Sequence, residues 1–197
     1  MPSDLRIRIG LSVTRSAVDR SAGPVPINEV LRWPKGLLAF LPRQPDEVPI
    51  AAREIERLAS ALQIAQVFMV RRAAASLGGV VTGTVLEWTE DDLGLFLPKR
   101  KATNRVLGPV WAIWPVDFAI DFNRGFCLPT TYWSVKSGAR VRVGFRSAWS
   151  AHFLNLEYQP REDASAWEGC RGLADLLLML SGRLSQTAGK SLDERPG

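Results

Sequence analysis

The chain has 197 residues, 46% of them hydrophobic, which is about one domain with enough apolar side chain for a real core. Its formal charge is +5, from 25 Lys and Arg against 20 acids, and only five of those cations are Lys. Two cysteines, Cys127 and Cys170, and one histidine, His152, exclude a structural zinc site, which takes about four Cys or His ligands.

The charge is unevenly spread. Residues 1–72 carry +4, residues 73–92 carry −4, residues 93–150 carry +7 and residues 151–197 carry −2. A basic segment of that kind suits a polyanionic partner, although an Arg-rich genome writes the same composition without any such role. The first eight residues hold Asp4, Arg6 and Arg8, so no apolar leader is expected there, and the apolar run Leu176 to Leu180 falls far short of the ~20 residues that span a bilayer. The expectation is a cytoplasmic protein with no membrane contact, one domain over residues 1–185 and a frayed tail over 186–197.

At the start, Leu5, Ile7, Ile9, Leu11 and Val13 alternate with Arg6, Arg8, Gly10 and Ser12, a period of two that predicts a half-buried strand. Six of the thirteen prolines fall between Ala22 and Pro49, which leaves room for at most a short helix around Ile27 to Arg32. Ile55, Leu58, Ala59 and Leu62 recur at helical spacing and predict a helix over about 51–63, followed by a strand at Val67 to Val70. Gly78-Gly79 opens a further strand to Trp88. Glu90 to Asp92 then form an acidic turn, Leu93 to Leu97 a return strand, and Lys99, Arg100, Lys101 and Arg105 a basic exposed loop.

From Val110 to Trp149 four short apolar segments are separated by Asn123-Arg124-Gly125 and Lys136-Ser137-Gly138, which reads as an antiparallel meander. Pro129 demands an edge or bulge in its third segment. The last segment sets Arg140, Arg142 and Arg146 on one face and Val141, Val143 and Phe145 on the other. His152 to Tyr158 alternates again. Ser165 to Glu168 matches the S-x-x-E capping box of a helix over about 165–181, with Trp167, Leu173, Leu176, Leu177 and Leu180 as its core stripe.

The fold expected from these elements is a single α+β domain, a mostly antiparallel sheet covered by two main helices, with two ferredoxin-like halves as the alternative. Arg6, Arg8, Arg140, Arg142 and Arg146 would merge into one basic sheet face with Lys99, Arg100, Lys101 and Arg105 at its rim, a surface for RNA or single-stranded DNA, with Tyr132 or Trp133 as a stacking platform. The competing reading is an ordinary solvated face.

Asp117 and Asp121 lie about 13 Å apart along one strand, too far to share a metal ion, and are expected to pair with cross-strand arginines. No phosphate-loop or dinucleotide glycine pattern and no nucleophile elbow is present, so no cofactor, metal or catalytic residue is assigned. The function expected is a nucleic-acid-binding accessory or regulatory protein. A protein interaction module that docks an acidic partner through part of its seven tryptophans is the second class, and a small enzyme centred on His152 the third.

Overall fold

The structure is a computed structural model that describes residues 3–16, 26–73, 76–77, 83–113 and 116–183, with side chains from Arg8 onward. Its centre is a six-stranded sheet in which every pairing between strands is parallel, in the order β3-β2-β1-β4-β5-β6. The strands are β1 Gly36–Phe40, β2 Gln66–Arg72, β3 Thr84–Trp88, β4 Phe118–Asp121, β5 Val141–Phe145 and β6 Leu156–Tyr158. The expected antiparallel sheet and its ferredoxin-like alternative are therefore both corrected. Among the described residues the antiparallel contact is a lone bridge from Leu93 to Pro98, where a return strand was expected.

The central strand β1 was missed because it carries no alternation. All five of its residues are buried, as they must be in a parallel strand covered on both faces, and its continuous apolar run sits between Pro34 and Pro42. Leu37 and Ala39 face one layer with Val67, Met69, Phe118, Ile120, Val141 and Val143; helices α2 (Ile27–Arg32), α3 (Val48–Leu62) and α6 (Ala166–Leu180) cover it. Leu38 and Phe40 face the other layer with Phe68, Val70 and Ala119, beneath α4 (Arg100–Ala112) and α5 (Leu128–Lys136).

The expected meander is two crossover units. Lys136-Ser137-Gly138 ends a helix, with Gly138 at φ 75°, a left-handed value that favours glycine, and Pro129 stands in the first turn of α5, where a missing N–H costs nothing. The expected basic loop is the start of α4, whose Ala102, Thr103, Val106, Leu107 and Val110 are buried at helical spacing. The first segment is also helical, α1 (Ser3–Ser16): Gly10, Leu11 and Thr14 are buried while Arg8, Ser12 and Val13 are exposed. Gly10 is required there because a Cβ would lie 2.5 Å from a Leu128 methyl carbon and 2.9 Å from the Phe96 carbonyl oxygen.

Other expectations hold. The helix expected over 51–63 is α3, the strand after it is β2, and Ser165 caps α6, with the Glu168 carboxylate accepting the Ser165 N–H at 2.8 Å. Trp167, however, lies outside the core stripe, 49% exposed. The expected strand from Gly78 is described only over β3, and the tail 186–197 lies outside the described residues. Among the described residues no helix is long and apolar enough to cross a membrane.

A candidate ligand crevice at the carboxyl ends of the strands

After β1 the chain turns to α3 on one face of the sheet, and after β4 it turns to α5 on the other. Adjacent strands whose connections leave in opposite directions open a crevice beyond their carboxyl ends, the place where open parallel sheets bind ligands. Asn123 forms its floor. Its Nδ2 donates to the Leu41 carbonyl at 3.4 Å and to Asp121 Oδ1 at 2.6 Å, and its Oδ1 accepts the Arg43 backbone N–H at 3.0 Å.

Asp121 is fully engaged beneath it. Oδ1 also accepts the Asn123 N–H at 2.9 Å, and Oδ2 accepts the Thr130 hydroxyl at 2.6 Å. Burial raises the pKa of this carboxyl above its ordinary value, against the hydrogen bonds from Thr130 and Asn123 that favour its charge. Cys127, at the entrance to α5, is pushed up to about 11 by burial and by the Asp121 charge, so it is a buried thiol rather than a nucleophile.

Between the ends of β4 and β5 lies a small cavity of about 20 Å³, room for about one water, lined by Asp121, Gly125, Cys127, Gly144, Ser147 and Ser150. Ser150 Oγ accepts the Ser147 N–H at 2.7 Å and donates to Glu157. On the α3 side, Arg124 donates to the Ala164 carbonyl at 2.7 Å. Burial raises Glu47 above the usual carboxyl range, with the nearby Arg124 charge opposing it. The rim over β1 to β3 is charged: Arg43 and Arg72 both approach one oxygen of Glu90, at 3.4 and 3.3 Å.

The basic residues expected to share one face stand on or beside three different elements, α1, α4 and β5. The Arg6 side chain lies outside the described residues, and Arg8 is exposed on α1. Arg140 and Arg146 flank opposite ends of β5, about 20 Å apart at ~3.3 Å per residue. Arg142 folds back at half burial, its Nε donating to the Phe153 carbonyl at 2.6 Å and Nη1 to the Ala139 carbonyl at 3.1 Å; burial lowers its pKa. Lys99, Arg100 and Lys101 are exposed at the start of α4, while Arg105 is paired with Asp92.

Trp133 offers no stacking platform, since it is fully buried edge-on to Trp88. Asp117 accepts the Lys35 and Gly36 N–H groups instead of pairing with arginine, and Asp121 pairs with Asn123 and Thr130. His152 is exposed on a short 3₁₀ turn over Ser150–His152. No group of three or more potential metal-ligating side chains occurs among the described residues. Asn123, Arg43 and Arg72 were missed as a group because 29 to 80 residues of sequence separate them, although the Asn-Arg-Gly cluster was legible as a turn.

Fold and crevice together define a Rossmann-like α/β protein of the doubly wound kind. Two solved structures share that fold. A glycosyl transferase family 9 protein from Veillonella parvula matches 77% of this chain and 42% of its own, at 14% identity and a TM-score of 0.59. The E. coli heptosyltransferase WaaC with ADP matches 82% of this chain and 50% of its own, at 13% identity and a TM-score of 0.53. At such identities the likeness establishes the fold, and the chain spans half or less of each of those structures. No protein-family model matches the chain, nor does any curated protein. The nucleic-acid-binding expectation is overturned by these neighbours, which are glycosyltransferases.

Proposed function

We propose that this chain is a glycosyl-transfer module that holds a sugar-bearing ligand in the crevice beyond β1 and β4. The observation that carries the reading is the position of the crevice: the strand order reverses there, in a fold shared with two glycosyltransferase structures, one of them described with ADP. Glycosyl transfer moves a sugar from a leaving group to an acceptor hydroxyl, so the protein's first task is to hold polar, hydroxyl-rich groups in register. Asn123 forms the floor of that crevice, and Gly125, Ser147 and Ser150 line the one-water cavity beside it. Asp121, with both oxygens engaged, serves as scaffold; binding and orientation are this module's contribution.

The test is a titration of the isotope-labelled chain with ADP, with ADP-linked and other nucleotide-linked sugars, and with the free sugars. Amide shifts confined to residues 41–47, 121–127 and 144–150 are the expected result. Saturating ligand that leaves all three segments unmoved overturns the proposal.

A further inference from the structure

We propose that Arg43 and Arg72 form a subsite for a phosphate or diphosphate group, and that Glu90 is an internal placeholder which that group displaces. The inference rests on the crevice being the ligand site and names the chemistry recognised at its rim.

Arg43 follows the end of β1, Arg72 ends β2, and Glu90 opens a short 3₁₀ turn just after β3, so three consecutive strand ends converge on one carboxylate oxygen. Because Glu90 Oε1 lies 3.4 Å from one Nη2 and 3.3 Å from the other, the two guanidinium nitrogens stand within about 7 Å of each other. Contacts of about 2.7–2.9 Å to each guanidinium seat a phosphate in that span. The existing pairs are longer than that, and all three side chains are 44–49% exposed, the situation in which an ion pair contributes little and is easily exchanged.

Both arginines stand on rigid backbone. The Arg43 N–H is held by Asn123, Pro42 restricts the residue before it, and Arg72 is registered against Trp88 in the sheet. Two forks on one carboxylate leave a net positive charge. It is reinforced by Lys99, Arg100 and Lys101, because the Lys99 N–H donates to the Asp92 carbonyl at 2.8 Å and places the first turn of α4 beside the Glu90 turn. Arginine forks match phosphate oxygens bidentately, and a phosphate brings more charge to them than the carboxylate it replaces.

The experiment titrates the full chain calorimetrically with inorganic pyrophosphate, with ADP and with the unphosphorylated sugar. Wild type should bind pyrophosphate with a salt-sensitive affinity. The pair Arg43→Ala with Arg72→Ala should weaken it by about tenfold to a hundredfold, as the loss of charge-assisted hydrogen bonds implies. Glu90→Gln should strengthen it severalfold by removing the competing charge.

The side-chain Nε–H resonances of Arg43 and Arg72 in the wild type should also shift with pyrophosphate, a readout that requires no variant to fold. Pyrophosphate that fails to bind at millimolar concentration, or that binds without regard to the two arginines, overturns the subsite. If the unphosphorylated sugar still moves residues 121–127 in that case, the crevice reading stands and only the subsite falls. If pyrophosphate depends on the arginines while no sugar-bearing ligand reaches the crevice, the subsite stands and the glycosyl-transfer reading falls.

Discussion

Asn123 reaches from the end of β4 back to the end of β1 and accepts the Arg43 backbone N–H at 3.0 Å, tying together the two strands whose divergence opens the crevice. Two further polar groups depend on the same side chain, the Leu41 carbonyl and Asp121 Oδ1, and Asp121 Oδ1 also accepts the Asn123 N–H in the turn that leads to α5. Asn123→Leu should leave these buried partners unmatched and cost about 1–3 kcal/mol. A lowered melting temperature together with weakened ligand binding is the expected result. A variant as stable as wild type would mean that the peg is dispensable.

Asp92 makes stability depend on acid. Burial raises its pKa, but hydrogen bonds from the Thr89 N–H and from Arg105 outweigh that and hold it below the ordinary carboxylate value. A depressed folded-state pKa contributes stability that is present above the unfolded value of about 3.9 and is lost as the pH falls through the folded value. Denaturant melts between pH 7 and pH 2 should show Asp92→Asn less stable than wild type at pH 7. The two should converge at the acid end. Parallel curves would remove Asp92 from the account.

Helix α6 buries Leu173, Leu177 and Leu178 fully, but not Leu176. Leu177 is inaccessible to solvent, whereas Leu176 is half-buried. Leu177→Ala should cost about 2–5 kcal/mol, and Leu176→Ala clearly less. Trp167→Ala should cost less again, because its ring lies open beside Arg171 at 5.1 Å. Thermal melts rank the three, and equal losses at 176 and 177 would contradict the packing of α6 on α3.

Both thiols are buried, and burial pushes Cys127 up to about 11 and Cys170 up to about 12. Thiolate is the reactive form, so a thiol reagent at pH 8 should label native protein slowly and denatured protein at once. Fast labelling of the native chain would place at least one thiol in a more open setting.

The sequence by itself determined the elements whose signals are local. The capping box at Ser165 and Glu168, the helical spacing from Ile55 to Leu62 and the β-branched run at Val67 to Val70 each specify their element through neighbours a few residues away. What only the tertiary structure decided was strand direction, and with it the site. Parallel pairing is set by a crossover that returns the chain to the same end of the sheet, so it leaves no periodicity within a strand. Its buried strands read as plain apolar runs, as at Gly36 to Phe40. The alternation at Leu5 to Val13 misled because buried Gly10, Leu11 and Thr14 acquire a common face only when α5 supplies a surface for them. Asn123, Arg43, Arg72 and Glu90 meet for the same reason: strand ends remote in the chain are brought side by side by hydrogen bonds between strands, which no local spacing records.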